Sequence, residues 1–372
     1  MAKLNIGILF GGRSGEHDVS LMSARNILNV LDMEKYNVTE IGITRQGEWL
    51  VGEGALNKLT SGKLEGLSPV TLLPDPTKKG LMAISSSEQG LLLNQFANLD
   101  VLFPVLHGTF GEDGTLQGLF ELADAAFVGA GVLGSAVGMD KSVFKDVMQA
   151  NNIPVVETIL LLSSELQADI DAAVSKAEQV GNYPLFIKPA NLGSSLGISK
   201  AQSRSDLLES LLEAAQYDRR IIVQKGIDAR EIEVSVLGND DPKASVCGEI
   251  IPEAEFYSYE AKYHDDRSKS VIPAEIPAEL SERIRSIAIK AYKACDLSGL
   301  ARVDFFVEKK TNVVYLNELN TMPGFTEISM YPMLWEAGGL KPNELVDELI
   351  GLALARKADR DAITHQFARG EN

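Results

Sequence analysis

Cysteine is nearly absent: Cys247 and Cys295 are the only two in 372 residues. That excludes a disulfide framework and a cysteine-built zinc site. Both read as small buried apolar residues in a reducing compartment. Positive charge is also scarce. The chain has 35 Lys and Arg against 52 Asp and Glu, a formal net charge of -17. Such a body does not attract nucleic acid or an anionic membrane, so any phosphate site must be a local basic cluster. No apolar run is long enough to span a membrane. The first ten residues form a short strand running into Gly11-Gly12 and do not read as a signal peptide. Repeats and low-complexity tracts are missing too. What remains is ordinary for a globular protein with a sizeable core: 45% hydrophobic and 23% charged residues. The length predicts two or three domains. These features point to a cytoplasmic enzyme or small-molecule binder.

Residues 4–10 read as a buried parallel strand, 11–15 as a glycine turn, 16–31 as a helix and 36–43 as the next strand. This is a βαβ opening. Residues 46–95 read as an irregular insertion with a short hairpin. A strand at 100–106 ends in His107-Gly-Thr-Phe-Gly-Glu-Asp-Gly114, and the first domain closes near residue 135. A helix at 141–151 leads to a small α+β unit with strands at 158–162 and 185–188 around a helix at 164–180. The segment 221–224 opens the last block, with antiparallel strands at 231–237 and 245–251. Residues 253–275 show no obvious element, and so long a segment inside a domain reads as a lid or binding loop. Helices follow at 277–295 and 343–358.

The chemistry concentrates near residues 300–324. Two apolar-rich strands flank the polar turn Glu308-Lys-Lys-Thr-Asn312, which predicts a hairpin. Side chains alternate along a strand, so Arg302 shares a face with Asp304, and Glu318 with Asn320. Buried carboxylates need a compensating cation. Oxygen donors without His or Cys suit Mg²⁺, which fills its shell with phosphate and water. A solvated face with an ion pair is the simpler alternative. Lys188 ends a strand just before Asn191-Leu-Gly-Ser-Ser-Leu-Gly197, where glycine N–H groups and hydroxyls suit a phosphate. Lys141 is a second phosphate candidate. Val223-Gln-Lys-Gly-Ile-Asp-Ala-Arg-Glu231 reads as a hinge strand leading into a sheet, where a peptide backbone could pair with an adenine edge and Glu231 could accept from ribose hydroxyls. Spacing alone does not favour this over an interdomain crossover with an exposed Glu.

The ordered motifs Gly11-Gly-Arg-Ser-Gly-Glu-His-Asp-Val-Ser20, His107 to Gly114, Met139-Asp-Lys141, Lys188-Pro-x-x-x-Gly-Ser-Ser195, Glu260-Ala-Lys-Tyr263, Ala301-Arg-Val-Asp304 and Asn317-Glu-Leu-Asn-Thr-Met-Pro-Gly324 resemble the D-alanine–D-alanine ligase family of ATP-grasp enzymes. The resemblance runs from residue 5 to about 355. It implies a three-domain ATP-grasp architecture, α/β and α+β. Residues 1–135 are then an N-terminal parallel-sheet substrate domain, 136–220 a small central domain, and 221–372 a C-terminal domain with the lid at 253–275. It implies ATP as substrate and two Mg²⁺, or Mn²⁺ in their place, held by Asp304, Glu318 and Asn320. Lys141, Lys188, Ser194, Ser195 and Lys262 would face phosphates. Gln224, Lys225, Ile227 and Glu231 would hold the nucleoside. Glu16 and His107 would lie at the first D-alanine, and Ser329 would hold the second. Arg302 and the Gly324 N–H would stabilise the oxyanion. Glu16, Ser194 and Tyr263 would latch the lid.

Gln224 stands where many members carry Glu. Tyr263 favours an amine over D-lactate as second substrate, although His264 lies beside it. A D-alanine–D-lactate ligase, another ATP-grasp carboxylate–amine ligase and a non-catalytic ATP-binding protein are the competing readings. The implied partners are small molecules only, with no nucleic acid or membrane, in a cytoplasmic homodimer. Taken singly, His107 suits a core histidine, Tyr263 a loop tyrosine, Ser329 a helix cap, and Glu112 and Asp113 caps of the following helix. His17 reads as a helix-start residue.

Overall fold

Parallel strands buried on both faces need an almost continuous apolar run, and the start of the chain supplies one. In the computed structural model, which describes residues 2–88, 90–193, 197–251 and 269–364, β1 (Leu4–Gly11) is fully buried from Ile6 onward. It pairs in parallel with β2 (Tyr36–Ile43) and later with β7 (Val101–Pro104). Helix α1 (His17–Val30) makes the crossover between β1 and β2. Gly11 has φ +93°, and a Cβ there would lie 2.2 Å from the Ile43 carbonyl oxygen. Only glycine lets the chain turn so close to the neighbouring strand.

The short hairpin expected within residues 46–95 is present, at 81–97, but the segment around it is not irregular. These residues form β3 (Trp49–Val51), α2 (Ala55–Ser61), β4 (Ser68–Leu72), β5 (Leu81–Ser87) and β6 (Gly90–Ala97). These strands extend the first sheet antiparallel, in the order β6-β5-β4-β3-β2-β1-β7. The expected parallel sheet is therefore mixed, with parallel pairing confined to its β2-β1-β7 end. Helix α3 (Thr115–Leu122) lies against the sheet face opposite α1: Leu116 and Phe120 pack with Leu9 and Ile41.

Helices α4 (Val132–Met139) and α5 (Lys141–Ala150) lead into a four-stranded antiparallel sheet. Its strands are β8 (Thr158–Leu162), β9 (Leu185–Pro189), β10 (Ser199–Ala201) and β11 (Arg220–Lys225), in the order β10-β9-β11-β8. The segment expected to open the last block thus belongs to the central sheet, because β11 pairs with both β8 and β9. The single helix expected over 164–180 is two, α6 (Ser163–Ala168) and α7 (Ile170–Ala177). Asp169, extended at φ -158°, breaks the run and caps α7 through the Ala172 N–H. Helix α8 (Arg204–Ala214) packs on β9 and β10.

The third sheet has the order β14-β13-β12-β15-β16. Its strands are β12 (Ala229–Gly238), β13 (Lys243–Ile251), β14 (Lys269–Val271), β15 (Gly299–Glu308) and β16 (Val314–Asn320). Strand β14 falls inside the stretch expected to hold no element; residues 252–268 lie outside the described residues. Helices α9 (Ala278–Ala294), α10 (Met330–Ala337) and α11 (Pro342–Asp361) complete the chain. Leu345, Val346 and Leu349 of α11 share one apolar core with Ile8, Phe10 and Phe103 of the first sheet. The central sheet has a separate core of its own. Cys247 and Cys295 are buried and unbridged. No described helix is long and apolar enough to cross a membrane.

Candidate active site

Opposite residues of antiparallel strands point to the same face. The register sets Glu233 of β12 against Asp304, and Asp304 against Glu318. One step along, Ser235, Arg302 and Asn320 align. Arg302 forks onto Asp304, with Nε donating to Oδ1 and Nη2 to Oδ2, each at 2.8 Å. Asn320 Nδ2 donates to Asp304 Oδ2 at 2.9 Å. Arg302 Nε also lies 3.0 Å from Glu233 Oε2. The Arg302 and Asp304 side chains are only 16% and 12% exposed, which rules out the solvated-face alternative. Two carboxylates and an amide oxygen on facing strands suit a hard divalent cation that completes its shell with phosphate and water. Among the described residues no group of three or more His, Cys, Asp or Glu forms a cage for a metal. An ion at Asp304 would share the carboxylate with the Arg302 fork.

A basic cluster faces this row. Lys141 begins α5, and its Nζ lies 3.9 Å from Glu318 Oε2 and donates to the Leu192 carbonyl at 2.7 Å. Lys188 is buried near the end of β9. Lys145, one turn after Lys141, is buried too and donates to Gln224 Oε1 at 3.1 Å. Burial, reinforced by the charge of Lys188, pushes its ammonium down to about 7, against the pull of Glu318. Like charges gathered in a dry pocket are destabilising on their own and favour an anion between them. At the hinge after β11, the Lys225 and Gly226 N–H groups are taken by the Glu157 and Pro184 carbonyls. Those two N–H groups are therefore already used within the protein. Glu231 follows, half-buried on β12.

The first domain reaches the same place. Glu16 is buried at the start of α1. Its carboxylate lies close against Gly108 and Gly193, where an added Cβ would come within 2.3 and 2.6 Å of Oε2. His107 bonds through Nδ1 to the Met322 carbonyl at 2.8 Å and through Nε2 to Ser23 Oγ at 2.9 Å. A carbonyl only accepts, so Nδ1 carries the proton. Nε2 therefore accepts from the Ser23 hydroxyl, whose oxygen accepts from the Phe325 N–H at 3.1 Å. Burial, against the pull of Glu16, lowers the imidazole from its ordinary range, in keeping with the neutral tautomer that these two bonds require. Both ring nitrogens serve the segment 322–325 rather than pointing at a ligand. Asn26 Nδ2 donates to the Phe325 carbonyl at 2.8 Å.

Glu112 does not cap a helix. It accepts from the Gly108 N–H at 2.7 Å and the Met322 N–H at 2.8 Å. Asp113 does act locally, accepting from the Phe110 and Thr115 N–H groups. His17 Nδ1 bonds to the Gly12 carbonyl. Ser329 precedes α10, yet its Oγ accepts from the Thr326 N–H at 2.9 Å instead of capping that helix. A Cβ on Gly324 would lie 2.9 Å from the same hydroxyl. Ser194, Ser195, Lys262 and Tyr263 lie outside the described residues.

Glu16, His107, Lys141, Lys188, Arg302, Asp304, Glu318, Asn320, Gly324 and Ser329 thus come from separate segments to neighbouring positions around the third sheet. Lys145, Glu233, Ser23 and Asn26 were not expected there. Lys145 had a signal in its one-turn spacing from Lys141; Glu233 had one in sharing a strand face with Glu231.

Residues 5–130 match the family model described as D-ala D-ala ligase N-terminus, and residues 147–351 the one described as D-ala D-ala ligase C-terminus. The chain belongs to the D-Ala–D-Ala ligase family. A D-alanine–D-alanine ligase of Natranaerobius thermophilus is 47% identical over 369 residues, which is 99% of this chain and 100% of that protein. One from a Thermoanaerobacter species is 49% identical, covering 95% of this chain and 97% of its own length. Among solved structures, the VanG D-Ala:D-Ser ligase of Enterococcus faecalis superimposes with a TM-score of 0.83 at 35% identity, covering 95% of this chain and all of that one. The D-alanine–D-alanine ligase of Coxiella burnetii gives 0.80 at 36% identity, with 97% of both chains covered.

Proposed function

We propose that this ligase-family chain joins two D-alanine molecules to D-alanyl-D-alanine, a peptidoglycan precursor, converting ATP to ADP and phosphate. The observation that carries this is the acid row and Arg302 meeting a basic cluster on one side and the Glu16 loop on the other. Near-complete coverage at 47–49% identity by relatives named D-alanine–D-alanine ligase favours D-alanine as the second substrate.

In this reading a carboxylate oxygen of the first D-alanine attacks the γ-phosphorus of ATP. The bond to the bridging oxygen breaks and ADP leaves, giving an acyl phosphate. The amine of the second D-alanine attacks the acyl carbon, sheds a proton, and phosphate departs. Lys141 and Lys188, with Ser194, Ser195 and Lys262 from the loops, neutralise phosphate charge; positioning and charge are most of what this chemistry needs. Gln224, Lys225, Ile227 and Glu231 hold the nucleoside. Glu16 takes the first ammonium, and His107 fixes the loop that faces it. Arg302 and the Gly324 N–H receive the tetrahedral oxyanion. Ser329 binds the second carboxylate. Glu16, Ser194 and Tyr263 close the lid, which keeps water from the acyl phosphate. Asp304, Glu318 and Asn320 are the residues for divalent cations, two Mg²⁺ or Mn²⁺, which supply further neutralisation of the phosphates.

The protein works in the cytoplasm, where ATP is available, as a homodimer joined through its first domain. The test is purified protein with ATP, Mg²⁺ and D-alanine, alone or mixed with D-lactate or D-serine, with phosphate measured and products weighed by mass spectrometry. D-Ala–D-Ala with one phosphate per dipeptide supports the reading. A mixed product in preference to the dipeptide moves the specificity to another ligase of the family. ATP binding without turnover favours a non-catalytic role.

A further inference from the structure

The acid row has one carboxylate that the proposed reaction does not use. Glu233 sits on β12 directly opposite Asp304. Its side chain is 13% exposed, and its Oε2 is 3.0 Å from Arg302 Nε. That Nε donates its hydrogen to Asp304 Oδ1 at 2.8 Å, so the same nitrogen lies near two carboxylates while its N–H points at Asp304. Asp304 is heavily engaged: Arg302 donates to both of its oxygens, and Asn320 donates to one of them, which leaves room on Oδ1 alone. An ion bound to Asp304 shares one carboxylate with the guanidinium, and the two positive charges repel each other there. A guanidinium set loose in so dry a place is costly unless another anion holds it.

We propose that Glu233 is a positioning residue that takes over Arg302 when Asp304 binds a divalent cation. It anchors the guanidinium by its Nε edge and leaves the Nη groups to face the reacting acyl group. The proposal rests on the ligase reading. Ground-state geometry supports it, because Glu233 already lies within reach of Nε and no backbone motion is needed for the handover. Glu233 itself touches neither substrate nor metal in this scheme; it acts through Arg302. Without it, Arg302 loses the carboxylate 3.0 Å from its Nε, and metal and arginine contest Asp304.

The test compares wild type, Glu233→Gln, Arg302→Ala and the double variant. Mn²⁺ binding in the presence of ATP is followed by electron paramagnetic resonance, and steady-state kinetics are measured with D-alanine at saturating Mg²⁺. In Glu233→Gln, Mn²⁺ affinity should fall about tenfold, and kcat at least about tenfold, while KM for ATP stays within about twofold; loss of a charge-assisted bond is of that size. In the Arg302→Ala background Glu233→Gln should change neither quantity, because the residue acts only through the arginine. Unchanged Mn²⁺ affinity in the single variant, or the same loss in both backgrounds, overturns the proposal. If the single variant fails to fold, the double variant carries the test: removing the arginine should restore folding, and failure to do so counts against the proposal. A wild-type protein that binds Mn²⁺ and ATP but makes no dipeptide would instead sink the ligase reading, while the Mn²⁺ comparison still judges Glu233.

Discussion

Glu112 shows how one side chain joins distant parts of the chain. It lies in the loop after β7, yet it accepts from the backbone of Met322 as well as Gly108. Burial first, and then the charge of Glu16, push its carboxyl up to about 8, against two backbone donors that favour ionisation. The folded value lies above the ordinary 4.5. Stability from this group is therefore whole below about 4.5 and is lost as pH rises through about 8. Glu112→Gln should flatten the fall of the melting temperature across that window. It should also lower stability at pH 6 by about 1–3 kcal/mol, because the amide nitrogen cannot accept one of the two N–H bonds. Thermal melts from pH 5 to 9 check both, and a variant that retains the wild-type slope removes Glu112 from the account. At this scale the sequence was uneven as a guide. The residues of the β15–β16 hairpin were legible because strand alternation puts them on one face. Glu112 and His107 looked like local residues, since nothing in their own loop shows that their partners are Met322 and Phe325.

Among elements, α5 carries the basic cluster and depends on its cap. Asp140 accepts from the Ser142 and Val143 N–H groups at 3.0 Å each and from Arg220 Nε at 2.8 Å. Burial works to raise its carboxyl, but the Arg220 bond and the backbone donors together outweigh it and hold the group below its ordinary 3.8. Its contribution is thus present above about pH 3.8 and lost as pH falls through the folded value. Asp140→Ala removes a helix cap and leaves Arg220, 20% exposed, without its acid. We expect a loss of about 2–4 kcal/mol at pH 7 by urea unfolding. The difference from wild type should shrink toward pH 3; a constant difference would assign the loss to packing alone. The helix expected at 141–151 is present as α5, and its Asp140 cap had a signal in the Asp standing just before the periodic run. Elements failed where pairing decided the matter. Residues 81–97 carry runs of Ser and of Leu without clear alternation, and only the growing sheet edge makes strands of them. Strand β11 read as the opening of the last block because it precedes it in sequence, whereas its partners β8 and β9 lie earlier.

At the scale of the whole molecule, the two ends of the chain make one body. Besides the shared core, Arg356 of α11 lies 4.0 Å over the Phe127 ring and donates to the Gly129 carbonyl at 2.8 Å. Tyr36 Oη donates to Asp347 at 2.7 Å. No local pattern announces such contacts, which span more than 200 residues. They hold the Glu16 loop and the Arg302 strand in fixed relation while the central sheet keeps its own core. The far edge of the first sheet is different. Strand β6 exposes Leu91, Leu92, Leu93 and Phe96 at 73, 50, 48 and 47%. It ends the sheet, so its outer N–H and C=O groups face outward, and Gly90–Ala97 contains no charged residue. A long apolar edge without a blocking charge is a template for another strand. In a chain of net charge -17, two copies repel over most of their surface, and a neutral edge is where they can meet. The proposed homodimer is therefore expected to pair β6 with β6 about a two-fold axis. Light scattering at micromolar concentration should give twice the chain mass. Leu92→Lys should raise the dissociation constant by about 100-fold, the effect of losing one central contact. Circular dichroism and turnover per site should not change, because β6 lies five strands from β1 in the sheet order, and β1 ends at the Glu16 loop. A variant that still dimerises would move the contact to another face of the first domain, and a monomeric wild type would remove the dimer altogether.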